Sequence, residues 1–551
     1  MLIKMSTRYK YIIFITLILS SCSFLEEEPR SGQPIEYVIT SASTLHKQAV
    51  LSLYEHIGGS VDGKGLQGTY RGVYDLQTFA SDEAIIPVRG GDWLDGGLWL
   101  DLYYHTWSTD NEAIENSWLY LYELIGLCNH SDAIIDQYSS LLTEKQLATY
   151  FAEVRAVRAL AYTYLLDLFA RLPIVTKTNI SIHDIEQSER NEVFHFVWNE
   201  LQAALPYLPD ERSNSRGEYY GRITYPVACF MLMKLALNAE VWTDNDWTDS
   251  ARPDGKQIRL MCGDEEKNAW EAVKYYGQEI VNSSASYGLC KSQLNCFAVY
   301  NEDAIENIFT IPMDPAVYRN RFKNLFRSLH YEHASALGYG GENGSCATLK
   351  TLGVYGYGTR KQDCRFRTTF FSGIVNVDSS PLILSDGDTL VYEANEVQPD
   401  LTRSPYIATA GARMHKYAFD PAGIFDGQLR NSDIVLFRFA DVLLMLAEAK
   451  VRNGESGQTE FEQVRLREAL ALGTEVEPRE ATLDNIYYER WLELMWEGWH
   501  RQDMIRFNRY ISPSLEESAI STPQEERYLT VFPIPQTARQ TNTNLIQNKG
   551  Y

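Results

Sequence analysis

The sequence predicts a mainly α-helical protein with a loop-rich insertion that carries a few short strands. Apolar residues recur every three or four positions in stretches along most of the chain, which is the pattern of amphipathic helices. Residues 285–430 instead hold short apolar pieces between polar and glycine-rich loops such as "LGYGGENGS" (337–345). Within this insertion, strands are expected in "NIFTIPM" (307–313) and "PLILSDGDTLVYEA" (381–394).

The clearest of the helices is predicted over residues 144–170. Leu147, Phe151 and Val154 begin an apolar face with steps of three and four residues, and Pro173 lies just beyond the expected end. The same pattern predicts helices at about residues 113–137, 190–206, 225–242, 266–283, 433–452, 458–471 and 483–507. Several follow one another after short connections, which favours tetratricopeptide-like helix pairs, although no clean repeat of about 34 residues is visible.

The N-terminus has the features of a secretory signal peptide, which we predict over residues 1–21. The apolar run at residues 11–19 is shorter than the roughly 20 residues that a membrane-spanning helix needs. Lys4, Arg8 and Lys10 precede it, and small residues follow it, as in signal peptides.

A lone cysteine ends this segment. "LSSC" (19–22) resembles the bacterial lipobox, in which the cysteine is acylated and becomes the first residue of the mature protein. We therefore predict that Cys22 is lipidated and that residues 22–35 form a flexible tether to a membrane. An ordinary signal peptide with an incidental cysteine is the alternative.

The composition favours some ligand classes over others. A formal net charge of −23 argues against nucleic acid or anionic lipid as the ligand, because both require a basic surface. The 35 tyrosines and 11 tryptophans suit a binding surface, since their rings offer apolar contact and hydrogen bonds together.

The cysteines indicate neither a metal centre nor a dense disulfide framework. Seven remain after Cys22, and none forms a C-x-x-C pair. Cys128 and Cys229 lie in apolar helical stretches and are predicted to be buried thiols. Cys290 and Cys296 could form a disulfide, which the sequence leaves open. We predict no metal and no cofactor.

Five segments, in order, resemble the RagB/SusD family of outer-membrane nutrient-binding lipoproteins along nearly the whole chain. They are "SFLEEEP" (23–29), "AEVRAVRALAYTYLLDLFARLPIVT" (152–176), "RNSDIVLFRFADVLLMLAEAKVRNG" (430–454), "ERWLELMWEGWHRQDMIRF" (489–507) and "FPIPQTARQTNTNLIQNKGY" (532–551). His500 departs from the arginine expected there. Gln463 and Val464 depart slightly from the family's Asn-x-hydrophobic-Arg pattern, which leaves Arg465 as the matching residue.

The resemblance implies a SusD-like fold and a single domain over residues 36–551. Its helical scaffold would comprise residues 36–284 and 430–551, with the insertion at 285–430 on the ligand side. In Bacteroidetes, acidic residues after the lipidated cysteine resemble a signal for the outer face of the outer membrane, as Glu26–Glu28 do here.

By the same resemblance, the protein binds an oligosaccharide or polysaccharide and delivers it to a SusC-like TonB-dependent transporter, without catalysing a reaction. A RagB-like binder of peptides is the alternative. A structural or adhesive surface protein is the hypothesis from another class.

One pair of residues has a spacing that could bind a metal. Glu497 and His500 form a Glu-x-x-His motif, but a di-iron bundle needs two such motifs and further glutamates. We expect the charged residues of these helices to form ion pairs that brace the scaffold instead. They are Glu489, Arg490, Glu493, Glu497, Arg501, Asp503 and Arg506, with Arg155, Arg158, Arg438, Asp441 and Glu448.

The segment "DEAIIPVRGGDWLDGGLWLDLYYHTWSTD" (82–110) is the candidate ligand site. Its glycines interrupt a regular helix, and it combines aromatic rings, which stack on sugars, with groups that hydrogen-bond hydroxyls. We predict that the ligand contacts Arg89, Asp92, Trp93 and Asp95. In the alternative interpretation the tryptophans fill the core, and Trp99, Tyr103 and Trp107, spaced by four, form the buried stripe of a short helix.

The insertion would supply the rest of the site. Candidate rings and an amide are Tyr318, Phe322, Phe326, Tyr331, Tyr339 and Asn343, of which Tyr318, Tyr331, Tyr339 and Asn343 are the predicted ligand contacts. Asp92 and Asp95 also invite comparison with glycosidases, but that mechanism needs two carboxyl groups across a cleft, one with a raised pKa. The sequence has no nucleophile elbow, P-loop or dinucleotide fingerprint, so we predict no enzymatic activity.

Overall fold

The computed structural model describes residues 39–313, 320–423, 431–513 and 521–551. Outside these residues lie the predicted signal peptide, the predicted lipidation site Cys22, the predicted tether and Tyr318. Helices dominate, as predicted, and α1 to α19 are, in chain order, Ala42–His46, Ser52–Gly58, Val73–Thr78, Leu98–Tyr104, Glu112–Gln137, Glu144–Phe169, Arg190–Ala204, Tyr225–Leu237, Ala239–Trp242, Ala269–Asn282, Asn324–Ser328, Tyr331–Ala336, Leu349–Val354, Phe366–Thr369, Phe439–Arg452, Gln458–Leu472, Leu483–Leu494, His500–Arg506 and Gln536–Thr541. Over the described ranges, no helix combines the length and apolar character needed to cross a membrane.

The strands are short, and each one in the described chain pairs antiparallel with a single partner. Strands β1 to β14 are Ala84–Ile85, Leu172–Pro173, Gln187–Ser188, Arg259–Cys262, Glu265–Asn268, Asn307–Ile311, Cys346–Ala347, Phe370–Phe371, Gly373–Ile374, Asn376–Val377, Ser380–Pro381, Val391–Tyr392, Arg413–Met414 and Ile434–Arg438. The pairs are β1–β7, β2–β3, β4–β5, β6–β14, β8–β13, β9–β12 and β10–β11.

The long helices pack as neighbours in pairs around one large hydrophobic core. Helix α5 packs on α6, α6 on α7, α8 on α10, and α15 on both α16 and α17. Local sequence sets where the first of these begin. The Asn111 side chain accepts hydrogen bonds from two backbone N–H groups of α5, and Thr143 and Gln146 form a capping box that starts α6.

Two predicted helices begin with strands instead. Residues 434–438 form β14 and pair with β6, and residues 266–268 belong to β5. In β14 every residue is buried, so its sequence has no alternation that would distinguish a strand from a buried helix. The partner strand lies more than a hundred residues earlier, which no local pattern reveals.

The predicted ion-pair network is present in the scaffold. Arg438 bonds Glu306, Glu493 and Glu497 at 2.6–2.8 Å, and further pairs join Arg490 to Asp441 and Asp503, Arg501 to Asp167, Arg506 to Glu448 and Asp503, and Arg158 to Asp132 and Glu200. The prediction was wrong for Arg155, which forms no ion pair with an acidic residue of the described chain. His500 of the Glu-x-x-His motif pairs with another acidic residue: its Nε2 lies 2.7 Å from Asp82 Oδ1.

Candidate functional site

A pocket of about 450 Å³ opens where the 92–99 loop meets two other segments, 62–71 and 323–342. Its lining combines aromatic rings with charged groups: Asp62, Tyr70, Arg71, Asp92, Trp93, Asp95, Trp99, Lys323, Tyr331, Gly341 and Glu342. The structure therefore brings together four of the predicted ligand residues, from two distant parts of the chain.

The backbone of the loop is held in an uncommon conformation. Arg89 and Asp92 exchange backbone hydrogen bonds of 3.0 and 3.2 Å across a tight turn. Beyond it, φ is +61° at Trp93 and +38° at Asp95, a region that L-residues rarely adopt. Strain of this kind costs of order 1–3 kcal/mol per residue and is typical of functional sites. Here it aims the side chains of this loop into the pocket.

Trp93 is fixed by polar and aromatic contacts. Its indole N–H donates to the backbone carbonyl of Glu342 at 2.9 Å, and its ring meets the buried Trp99 edge to face at 5.9 Å. A Cβ atom at Gly344 would lie 2.7 Å from the indole, so only glycine permits this close approach. The ring is half-buried, and it therefore presents a preformed apolar surface to the pocket.

The carboxylates of the loop are each tied to a partner. Tyr331, which is exposed at the start of α12, donates its hydroxyl to Asp92 Oδ2 at 2.6 Å. Partial burial and this hydrogen bond raise the pKa of Tyr331 to about 12, so its hydroxyl stays protonated at neutral pH. Asp95 accepts from Trp99 Nε1 at 2.7 Å and pairs with Arg71 at 3.3 Å.

A buried pair supports the rear of the pocket. Arg327 donates to both oxygens of Asp75 at 2.8 and 3.1 Å, and its guanidinium lies 4.4 Å from the centre of the Tyr70 ring. The Tyr70 hydroxyl in turn donates to the backbone carbonyl of Lys323 at 3.1 Å. These contacts fix the Tyr70 ring before any ligand arrives.

The other predicted ligand residues of the described chain lie beneath the surface. Arg89 is 5% exposed and donates to the carbonyls of Ile407 and Ala410 at 2.7 and 2.9 Å. Burial, and then the neighbouring Arg413, lower the pKa of Arg89 to about 9. In this structure Arg89 positions the loop from behind.

Tyr339 and Asn343 are also buried, at 2% and 3% exposure. Tyr339 packs on Phe326 at 4.5 Å, and Asn343, with a φ of +52°, turns the chain behind the pocket. Trp99 and Trp107 are buried too, as the alternative interpretation predicts, but Trp107 lies beyond the end of α4, so the predicted stripe on one helix is wrong.

Sequence reasoning missed the part of the pocket that residues 62–71 form. Asp62, Tyr70 and Arg71 come from "GGSVDGKGLQGTYRG" (58–72), which combines glycines, charges and a ring as the predicted loop does. The same signal could have found it. The lining holds four acidic groups and two cations, so the pocket suits neutral hydroxylated ligands better than anions.

The cysteine predictions can also be compared with the structure. Cys128 and Cys229 are fully buried, as predicted, and Cys290 and Cys296 are buried free thiols. Ligand atoms of Cys290, Cys296 and Glu306 lie within 4.8 Å of one another. The Glu306 carboxylate already accepts hydrogen bonds from Arg438 and Arg467, which satisfy it without an ion.

Comparison with known proteins agrees with the sequence motifs. The sequence model of the SusD family matches residues 359–551. The starch-binding protein SusD of Bacteroides thetaiotaomicron is 22% identical over 531 residues, which cover 90% of this chain and 89% of that protein.

Solved structures show the same fold. A SusD homolog from Bacteroides thetaiotaomicron superposes with a TM-score of 0.70 at 18% identity, covering 94% of this chain and 99% of that one. Surface glycan-binding protein A from the same organism, in complex with laminarihexaose, gives 0.67 at 18% identity over 92% and 100% of the two chains. The chain therefore has a SusD-like fold, as predicted, and its residues 359–551 match the SusD family model.

Proposed function

We propose that this protein binds an oligosaccharide or polysaccharide in the pocket around Trp93 and does not transform it. The observation that carries the proposal is a fixed, half-buried indole beside the hydrogen-bonded pair of Asp92 and Tyr331. A flat ring can cover the apolar face of a sugar, while carboxylates accept hydrogen bonds from its hydroxyl groups. Because the strained loop holds these groups in place, little order must be gained on binding.

The family members support the same ligand class. The two relatives named above bear the names of a starch-binding and a glycan-binding protein, and one structure contains laminarihexaose. The acidic lining favours a neutral sugar over an anionic one. Asp92 and Asp95 then act as hydrogen-bond acceptors, each held by its own partner, and not as a catalytic pair.

Calorimetry with purified protein and a panel of neutral glycans tests this proposal. Trp93→Ala should weaken binding by at least about tenfold, because buried tryptophans often dominate recognition. Trp93→Phe, which keeps a ring, should retain more affinity. Tyr138→Ala, at the end of α5 and outside the pocket, is the matched control and should bind normally. Binding of peptides with no response to any glycan would favour the RagB-like alternative.

We further propose that Cys22 anchors the protein to the outer membrane, facing the cell exterior, where it delivers the glycan to a SusC-like TonB-dependent transporter. Cys22 lies outside the described residues, so this step rests on the lipobox and the family. Cys22→Ala should leave glycan affinity unchanged in solution and abolish membrane attachment and uptake. Uptake that persists in cells carrying this variant would contradict the role of the anchor. If SusC-like barrels never co-purify with the protein, the transport role fails while the binding role stands.

A further inference from the structure

A second and larger pocket, of about 700 Å³, lies between the insertion and the late helices and shares no lining residue with the first. It is enclosed by residues 359–368, the end of α16, residues 474–479 and Glu489 of α17. Its volume falls within the roughly 300–1,000 Å³ that is usual for small-ligand sites.

Three of the four acidic groups that line this pocket have a cationic partner, although Glu489 Oε2 accepts no hydrogen bond within the described residues. Arg365, just behind the lining, donates to Asp363 at 2.9 Å and to Glu489 at 2.6 Å. At the rim, Lys361 pairs with Glu477 at 3.2 Å. Glu475, which is exposed, is the acidic lining residue left without a counterion in the described chain.

Four guanidinium groups of the lining have no such partner. Within the described ranges, no carboxylate lies within 4.0 Å of Arg360, Arg367, Arg465 or Arg479. This differs from the scaffold, where Arg438 bonds three carboxylates.

Arg465 is the most informative of the four. It is only 7% exposed, and it donates to one backbone carbonyl, that of Glu477. Burial is the main cause of its lowered pKa; the more distant Glu489 opposes this effect, and the nearby cations Arg479 and Arg365 add to it. A buried guanidinium group without a contacting carboxylate is unfavourable, because it has lost hydration and is repelled by neighbouring cations. An anion bound in the pocket would offset both effects.

We propose that this pocket binds a sugar that carries an anionic group, either a carboxylate or a sulfate. Guanidinium groups recognise such oxyanions through paired, charge-assisted hydrogen bonds. Gln362 and Thr474 line the same space and offer an amide and a hydroxyl group to the ring hydroxyls of the sugar. The inference is independent of the glycan site around Trp93, whose acidic lining disfavours such ligands.

Calorimetry at low salt with galacturonate, galactose 6-sulfate, galactose and inorganic sulfate tests the proposal on the intact protein. We expect the two acidic sugars to bind more tightly than galactose and more tightly than sulfate alone. Raising the salt concentration to about 0.5 M should weaken this binding, because part of the attraction is screened. Galactose binding as tightly as galacturonate, or sulfate binding as tightly as both sugars, would overturn the proposal.

The variants should locate the site. Arg367→Gln combined with Arg479→Gln should weaken binding of the acidic sugars by at least about tenfold. Both side chains are exposed and form no hydrogen bond or ion pair with the described residues, so the fold should persist, as unchanged thermal unfolding would verify. Arg539→Gln removes an exposed arginine elsewhere and serves as the matched control. Trp93→Ala should also leave this binding intact. Full affinity in the double variant would place the anion elsewhere and refute the assignment.

Discussion

Glu83 shows how burial in the core sets the protonation state of a single side chain. It precedes β1, is completely buried, and pairs with no cation among the described residues. Burial raises the pKa of its carboxyl well above the ordinary value of 4.5. The folded protein therefore holds the proton at a pH at which the unfolded chain releases it, and the stability contributed by Glu83 is lost as pH rises through the folded pKa.

Glu83→Gln should remove this pH dependence, since glutamine is neutral at every pH. We expect the melting temperature of the variant, relative to the wild type, to increase steadily as pH rises above about 4.5. Thermal unfolding followed by circular dichroism from about pH 4 to about pH 8 measures the difference. Glu186→Gln, at an exposed position without an ion pair to any described residue, should show no such trend. If the variant instead becomes less stable relative to the wild type as pH rises, Glu83 is ionised in the folded protein.

At this scale the sequence predicted the 92–95 part of the pocket lining, missed residues 62–71, and expected the buried Arg89 to face the ligand. Asp92, Trp93 and Asp95 stood out because rings, charges and glycines concentrate in one short segment. Arg89 has the same neighbours in sequence, but its guanidinium is satisfied by carbonyl groups more than three hundred residues later. No local pattern distinguishes an arginine that faces a ligand from one that braces a loop.

Among the elements, the break between α17 and α18 was not predicted. The apolar period continues through residues 483–507, yet the helix ends at Leu494 and restarts at His500. Between them φ is +69° at Trp496 and +74° at Gly498. The turn lets the Tyr74 hydroxyl, in α3, donate to the Trp496 carbonyl at 3.1 Å.

Gly498→Ala should therefore destabilise the protein through its backbone. The added Cβ would meet Tyr74 and Gln77 at 3.4–3.7 Å, which is ordinary contact, so positive φ is the main cost. We expect a loss of about 1–3 kcal/mol in the free energy of unfolding, measured with urea. Gly126→Ala, within α5 and with open space around the new Cβ, is the control and should be neutral or stabilising by up to about 1 kcal/mol. Equal effects at the two positions would contradict the argument.

Most long helices were predictable because an amphipathic period and its caps are local properties of the sequence. The start of α15 was not, because β14 just before it is apolar throughout and is fixed by its pairing with β6. At the scale of the whole molecule, this strand pairing connects the loop-rich insertion to the late helices of the scaffold.

The same junction contains a buried network of charges. Glu306, just before β6, and Glu493 and Glu497, in and after α17, all bond Arg438 at the end of β14. Burial alone would raise the pKa of Glu493, but Arg467, Arg438 and other nearby cations hold it well below its ordinary value. The stability from this carboxylate is therefore present at neutral pH and is lost as the solution becomes strongly acidic.

Arg438→Met tests whether this network holds the loop-rich insertion on the helical scaffold. The substitution keeps an apolar stem but leaves three buried carboxylates short of a partner, so we expect a loss of about 3 kcal/mol or more at neutral pH. Urea denaturation followed by tryptophan fluorescence gives the free energy of unfolding. Arg509→Met removes the exposed pair with Asp484, whose side chains are 24% and 73% accessible, and should cost no more than about 1 kcal/mol. If both variants lose the same small amount, the buried charges do not hold the insertion on the scaffold.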